Sequence, residues 1–86
     1  MRQTRPSVYV ADGIRNTVAQ YDVGAGGVLS PKTPATVAAG VTPFGVAVSP
    51  DGKSVYVTNA NQIVSQYDVG AGGALAPKTP RRWRLD

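Results

Sequence analysis

The chain has no cysteine and no histidine, and its five acidic residues are all aspartates, so glutamate is absent as well. Without cysteine there is neither a disulfide framework nor a thiolate metal site. Without histidine the commonest general base and the commonest metal-binding imidazole are both missing. Charged residues make up 16% of the chain, and no window approaches the roughly 18 apolar residues of a membrane-spanning helix. Met1 to Val10 carries Arg2 and Arg5 with no apolar run after them, so no signal peptide and no membrane partner are expected, and the default compartment is the cytoplasm. Helical periodicity of useful length is also lacking. What is plentiful is turn chemistry: 10 glycines and 7 prolines in 86 residues, between short β-branched runs.

The net charge of +4 belongs to the two ends, because Arg2, Arg5, Arg81, Arg82 and Arg84 all lie there. Between them Arg15, Lys32, Lys53 and Lys78 balance Asp12, Asp22, Asp51 and Asp68. A nucleic-acid footprint would be a basic stripe across the folded body with aromatic platforms beside it. Trp83 among its three arginines is the only such spot, and a solvated basic tail is expected there instead of a nucleic-acid partner.

Internal repetition organises the rest. Ser7-Val8-Tyr9-Val10 returns 47 positions later as Ser54-Val55-Tyr56-Val57. Gln20-Tyr21-Asp22-Val23-Gly24-Ala25-Gly26-Gly27 returns 46 positions later as Gln66-Tyr67-Asp68-Val69-Gly70-Ala71-Gly72-Gly73. Leu29 and Pro31-Lys32-Thr33-Pro34 return as Leu75 and Pro77-Lys78-Thr79-Pro80. The change of spacing falls between Ala11 and Ala19, where Gly13 and Asn16 mark a turn that tolerates a deletion.

Within one period the β-prone runs are Val46 to Val48, Val55 to Val57 and Ile63 to Tyr67. Ser49-Pro50-Asp51-Gly52 fits a type I turn. Asn59-Ala60-Asn61 supplies asparagines that tolerate left-handed backbone, and Gly70 to Gly73 reads as a flexible hairpin connection. Pro31 and Pro34 cannot donate to a ladder, so the run from Val28 to Gly40 belongs at a sheet edge.

Three inner strands and a proline-marked outer strand per period match the arithmetic of a propeller blade. The segment Pro43-Phe44-Gly45-Val46-Ala47-Val48-Ser49-Pro50-Asp51-Gly52-Lys53-Ser54-Val55-Tyr56-Val57-Thr58-Asn59 resembles the YVTN family β-propeller repeat. With the Gln-Tyr-Asp-Val and Pro-Lys-Thr-Pro segments, the longer unit is similar to seven-bladed lactonase-type propellers, which include 6-phosphogluconolactonases. The expected fold is therefore all-β, a partial β-propeller of two incomplete antiparallel blades. Its strands are expected near 7–12, 17–23, 28–39, 44–49, 54–59 and 63–69. Residues 1–6 are expected to be a disordered segment in place of a missing innermost strand, 7–80 the two repeats, and 81–86 a basic tail in place of the missing outer strand of the second blade. Phe44, Val46, Val48, Val55 and Val57 are the expected shared core. Two blades leave one face of each uncovered, so a marginal monomer is expected, or self-association through open strand edges.

Candidate sites are each outweighed by a plainer role. Gly24 to Gly27 and its copy are hairpin turns, since a phosphate-cradling fingerprint needs glycine where Leu29 stands and a following helix. Asp51 offers one carboxylate in a tight turn, short of a calcium loop. Asp22 and Asp68 occupy equivalent repeat positions, which suits a structural role. Arg15, Lys32, Lys53 and Lys78 are candidates for holding an anionic sugar phosphate, but they sit in turns or loops with no pair singled out. No catalytic, cofactor-binding or metal-binding residue is assigned. The resemblance implies a non-catalytic fragment of a lactonase-like propeller, at most a scaffold or interaction surface. The alternatives are a lactonase active only in an assembled ring, and a binding module that recruits peptides along its strand edges.

The final residues carry one further expectation. Pro80 to Asp86 can be encoded CCG CGA CGG TGG CGG CTG GAT, and from the third base this reads Ala-Thr-Val-Ala-Ala-Gly, identical to Ala35 to Gly40 of the first period. The tail is thus expected to be the repeat read out of frame. Coding DNA downstream of the Pro80 codon should then contain another blade in a different frame, and a stretch without one would refute this.

Overall fold

Alternating β-prone runs and tight turns give seven strands in the computed structural model, which describes residues 6–84. β1 (Ser7–Asp12), β2 (Thr17–Val23) and β3 (Leu29–Ala38) form one antiparallel sheet in the order β1-β2-β3. β4 (Pro43–Val48), β5 (Ser54–Asn59), β6 (Ile63–Val69) and β7 (Leu75–Arg84) form a second, in the order β4-β5-β6-β7. The described residues are all-β, forming two open antiparallel sheets and no closed barrel. The only helical geometry among the described residues is a single 3-10 turn in each repeat, Ala25–Gly27 and Ala71–Gly73.

The turns follow from local chemistry. Asp12 Oδ1 accepts the backbone N–H groups of Ile14 and Arg15, both at 3.1 Å, and Asn16 takes the left-handed φ of 57° that closes the first hairpin. At the second, Gly52 N–H donates to the Ser49 carbonyl at 2.9 Å, and Asp51 Oδ1 accepts from Ser49 Oγ and Lys53 N–H. This is the type I turn expected from Ser-Pro-Asp-Gly. The proline-bearing β3 and β7 both lie at sheet edges, where a missing N–H leaves no central ladder bond unmade.

Four expectations are corrected. Residues 81–84 are the end of β7 and not a tail: Arg82, Trp83 and Arg84 pair with Ser65, Val64 and Ile63. An edge ladder is held by backbone groups, so its solvent-side residues need not be apolar; Leu85 and Asp86 lie outside the described residues. Pro6 belongs to the folded part, its carbonyl accepting Val23 N–H at 3.0 Å, while residues 1–5 lie outside the described ones. The left-handed residue of the β5–β6 turn is Gln62, with φ 66°, and neither Asn59 nor Asn61. Asn59 is instead buried, accepting Gly40 N–H and donating to the Ile63 carbonyl at 2.7 Å and to Ser65 Oγ.

The fourth correction concerns the core. Val55 and Val57 are buried between the sheets as expected, with Val46 packed beside them. Phe44 is 69% exposed, because the β4–β5 register shifts between Pro43 and Gly45 and leaves Phe44 as the unpaired residue of a bulge. Val48 is exposed at the end of β4. Their places are filled by Val18, Tyr67 and Leu75.

Val57→Ala is expected to cost about 2 kcal/mol, from lost burial plus a residual cavity. Phe44→Ala should stay within about 0.5 kcal/mol. Urea denaturation midpoints of the two variants check the contrast.

Candidate functional site

The residues with unusual surroundings all lie where the sheets meet. Period-two alternation puts Tyr9, Val18, Gln20 and Val37 on the side of the first sheet that faces the second, since Tyr9 pairs with Gln20 and Val18 with Val37. The second sheet answers with Val55, Val57, Tyr67 and Leu75, Val55 pairing with Tyr67.

Four side chains cross this contact with hydrogen bonds. The Gln20 side chain, 0% exposed, donates from Nε2 to the Pro34 carbonyl at 2.8 Å, and its Oε1 accepts Leu75 N–H from the other sheet at 3.0 Å. Tyr9 O–H donates to the Gly73 carbonyl at 2.5 Å. Lys32 Nζ is paired with Asp22 in its own sheet and donates to the Gly72 carbonyl at 2.5 Å. Returning the other way, Tyr67 O–H donates to the Ala38 carbonyl at 2.6 Å. Burial pushes the Tyr67 phenol above the ordinary tyrosine range, which keeps it a neutral donor.

This geometry decides the fate of the sequence candidates. Lys32 is not available to an anion: it is buried, and its charge is answered by Asp22 and a carbonyl. Lys78 pairs with Asp68 in the equivalent place, and that partner raises its pKa. Arg15 pairs with Asp12 at 3.2 Å within its own turn, and Lys53 is exposed beside Asp51. Asp22 and Asp68 thus hold the lysines of the Pro-Lys-Thr-Pro strands. The Gly70–Gly73 loop directs carbonyl oxygens at Lys32 and Tyr9, a polarity opposite to that of a phosphate cradle. Among the described residues no three acidic, histidine or cysteine side chains gather to hold a metal. A cavity of about 140 Å³ between the sheets is lined by Ala38, Gly40, Ser65, Tyr67, Arg81 and Arg82 among others.

The interfacial role of Gln20 went unread in the sequence, although a signal existed. Gln20 stands two residues from Val18 on the same side of β2, and an amide on a buried side needs a hydrogen-bond partner. No family model, curated protein or solved structure matches the chain.

Lys32→Met should destabilise the fold by about 2 kcal/mol, because it leaves the Asp22 carboxylate and the Gly72 carbonyl without their donor. Lys78→Met, at a solvent-facing pair, should lower stability far less than Lys32→Met does. Chemical denaturation of both variants separates these values. The pH dependence has two signs. Hydrogen bonds from the Arg15 backbone to Asp12 and from Ser49 to Asp51 hold both carboxyls below the usual range, so their contribution is present above the ordinary carboxyl pKa and lost as pH falls. Tyr67 and Lys78 are raised, so theirs is present below the ordinary phenol and ammonium values and lost as pH rises. Tyr67→Phe should blunt the alkaline loss in a pH series of thermal melts.

Proposed function

We propose that the two repeats form a β-propeller-type scaffold, similar to YVTN and lactonase-type blades, that acts through its sheet faces and carries out no catalysis. The observation that supports this most directly is the use made of the repeated polar residues. Tyr9, Gln20 and Lys32 each hold a hydrogen bond to the neighbouring repeat, and Gln20 and Lys32 hold a second within their own sheet. Asp22 and Asp68 are tied to lysines, and Asp12 and Asp51 to their own turns. A general base for lactone opening would need to stand within reach of a substrate proton beside an anion-holding cation. The cations with the right chemistry are instead dispersed over two turns and two outer strands. The sheet edges at β1, β3, β4 and β7 and the two outer sheet faces are what remains to meet a partner.

A direct test is hydrolysis of 6-phosphogluconolactone across a range of protein concentrations. The expected rate equals the uncatalysed background at every concentration. A rate that climbs well above background as the chain is concentrated would replace the scaffold with a lactonase assembled from several copies.

A further inference from the structure

We propose that the outer face of the second sheet docks a second copy of this chain, head to tail, onto the outer face of that copy's first sheet. The proposal rests on the scaffold reading and names its partner. Because the chain repeats, each of the two surfaces that meet between its sheets exists twice. Tyr56, Val64, Gln66 and Lys78 stand on the outward side of the second sheet where Tyr9, Val18, Gln20 and Lys32 stand on the inward side of the first. Val8, Val10, Tyr21 and Leu29, with the Gly24–Gly27 loop, stand on the outward side of the first sheet as counterparts of Val55, Val57, Tyr67, Leu75 and the Gly70–Gly73 loop.

The uncovered copies hold the same poses with one valence unused. Gln66 donates Nε2–H to the Pro80 carbonyl at 2.7 Å, as Gln20 does to Pro34, but among the described residues its Oε1 has no donor. Lys78 is paired with Asp68 as Lys32 is with Asp22, without the second-sheet carbonyl that Lys32 reaches. Tyr56 O–H has no acceptor among the described residues, whereas Tyr9 donates to Gly73.

The opposite face offers the complements. No side chain among the described residues reaches Leu29 N–H or the Gly26 and Gly27 carbonyls, the counterparts of the groups that Gln20, Lys32 and Tyr9 engage. A methyl group built on Gly73 would stand 2.9 Å from Lys32 Nζ, whereas at Gly27 nothing lies within 4 Å. Leu75 is 7% exposed and Leu29 is 47% exposed, so the apolar part of the second face is equally unfilled.

Repeating the displacement that relates the first sheet to the second therefore brings Gln66 Oε1 to Leu29 N–H, Lys78 Nζ to the Gly26 carbonyl and Tyr56 O–H to the Gly27 carbonyl of the second copy. The two faces differ, so the contact is heterologous and each added copy presents a fresh face. Trp83 stands where Val37 stands in the first repeat and is 60% exposed. The docked edge is thus bulkier than its model within the chain.

Sedimentation velocity of the full chain over a concentration series tests this. The wild-type coefficient should rise with concentration. The double variant Gln66→Ala/Lys78→Ala and the single variant Leu29→Asp should each need about tenfold more protein or beyond to associate. Far-ultraviolet circular dichroism should be unchanged in both, since all three side chains lie on outward faces. Mixing the two variants should restore a one-to-one dimer that grows no further, because each supplies the face the other lacks. A wild-type chain that stays monomeric throughout, variants that associate as well as wild type, or a mixture that gives no dimer would each overturn the docking. A monomeric chain without lactone hydrolysis would overturn the docking and leave the scaffold reading standing, whereas lactone hydrolysis strikes the scaffold reading itself.

Discussion

One buried amide ties the two sheets into a single structure. Apolar contact between Val18, Val55, Val57 and Leu75 draws the sheets together, but that attraction has no direction and would tolerate sliding. Gln20 removes that freedom, since its two ends are engaged by different sheets, Pro34 in one and Leu75 in the other. A fully buried amide left half-satisfied costs about 1–3 kcal/mol, so any displacement that breaks either bond is opposed. Tyr9, Lys32 and Tyr67 extend the same logic along the contact, each placing a donor on a backbone carbonyl of the opposite sheet.

Between the sheets the connection is held from both sides. Asn16 accepts Thr42 N–H at 2.8 Å through its side chain and Ala39 N–H through its backbone, and Asn59 accepts Gly40 N–H. Gly40 has to be glycine here, because a Cβ would approach Asn59 Cγ to 2.8 Å. The repeat-to-repeat junction is therefore a packed part of the structure, and the Asn59 that closes the Tyr-Val-Thr-Asn run is one of its clamps.

Much of the fold was legible because strands and turns are written in short-range chemistry. The alternation of β1, β2, β5 and β6, the turn marked by Gly13 and Asn16 and the Ser49–Gly52 turn all depend on neighbours within a few residues. The misses share a cause of another kind. Arg82, Trp83 and Arg84 look like a tail by composition, yet β6 supplies a ladder to which any residue with a backbone N–H and carbonyl can pair. Phe44 looks like core by hydrophobicity, yet a bulge set by the β4–β5 pairing turns it outward. Lys32 looks like a free cation, yet Asp22 and Gly72 enclose it.

Repetition separates the two levels of information cleanly. Residue identity alone determined where six of the seven strands run, where most turns fall, and that the chain carries closely similar repeats, since those depend on local sterics and spacing. It did not determine what any residue does, because Gln20 and Gln66, Lys32 and Lys78, and Leu29 and Leu75 are identical pairs with unlike surroundings. Only tertiary structure decided which member of each pair is covered. The physical reason is that burial and hydrogen-bond satisfaction belong to the neighbouring surface, and one sheet-to-sheet contact can cover only one copy of each face.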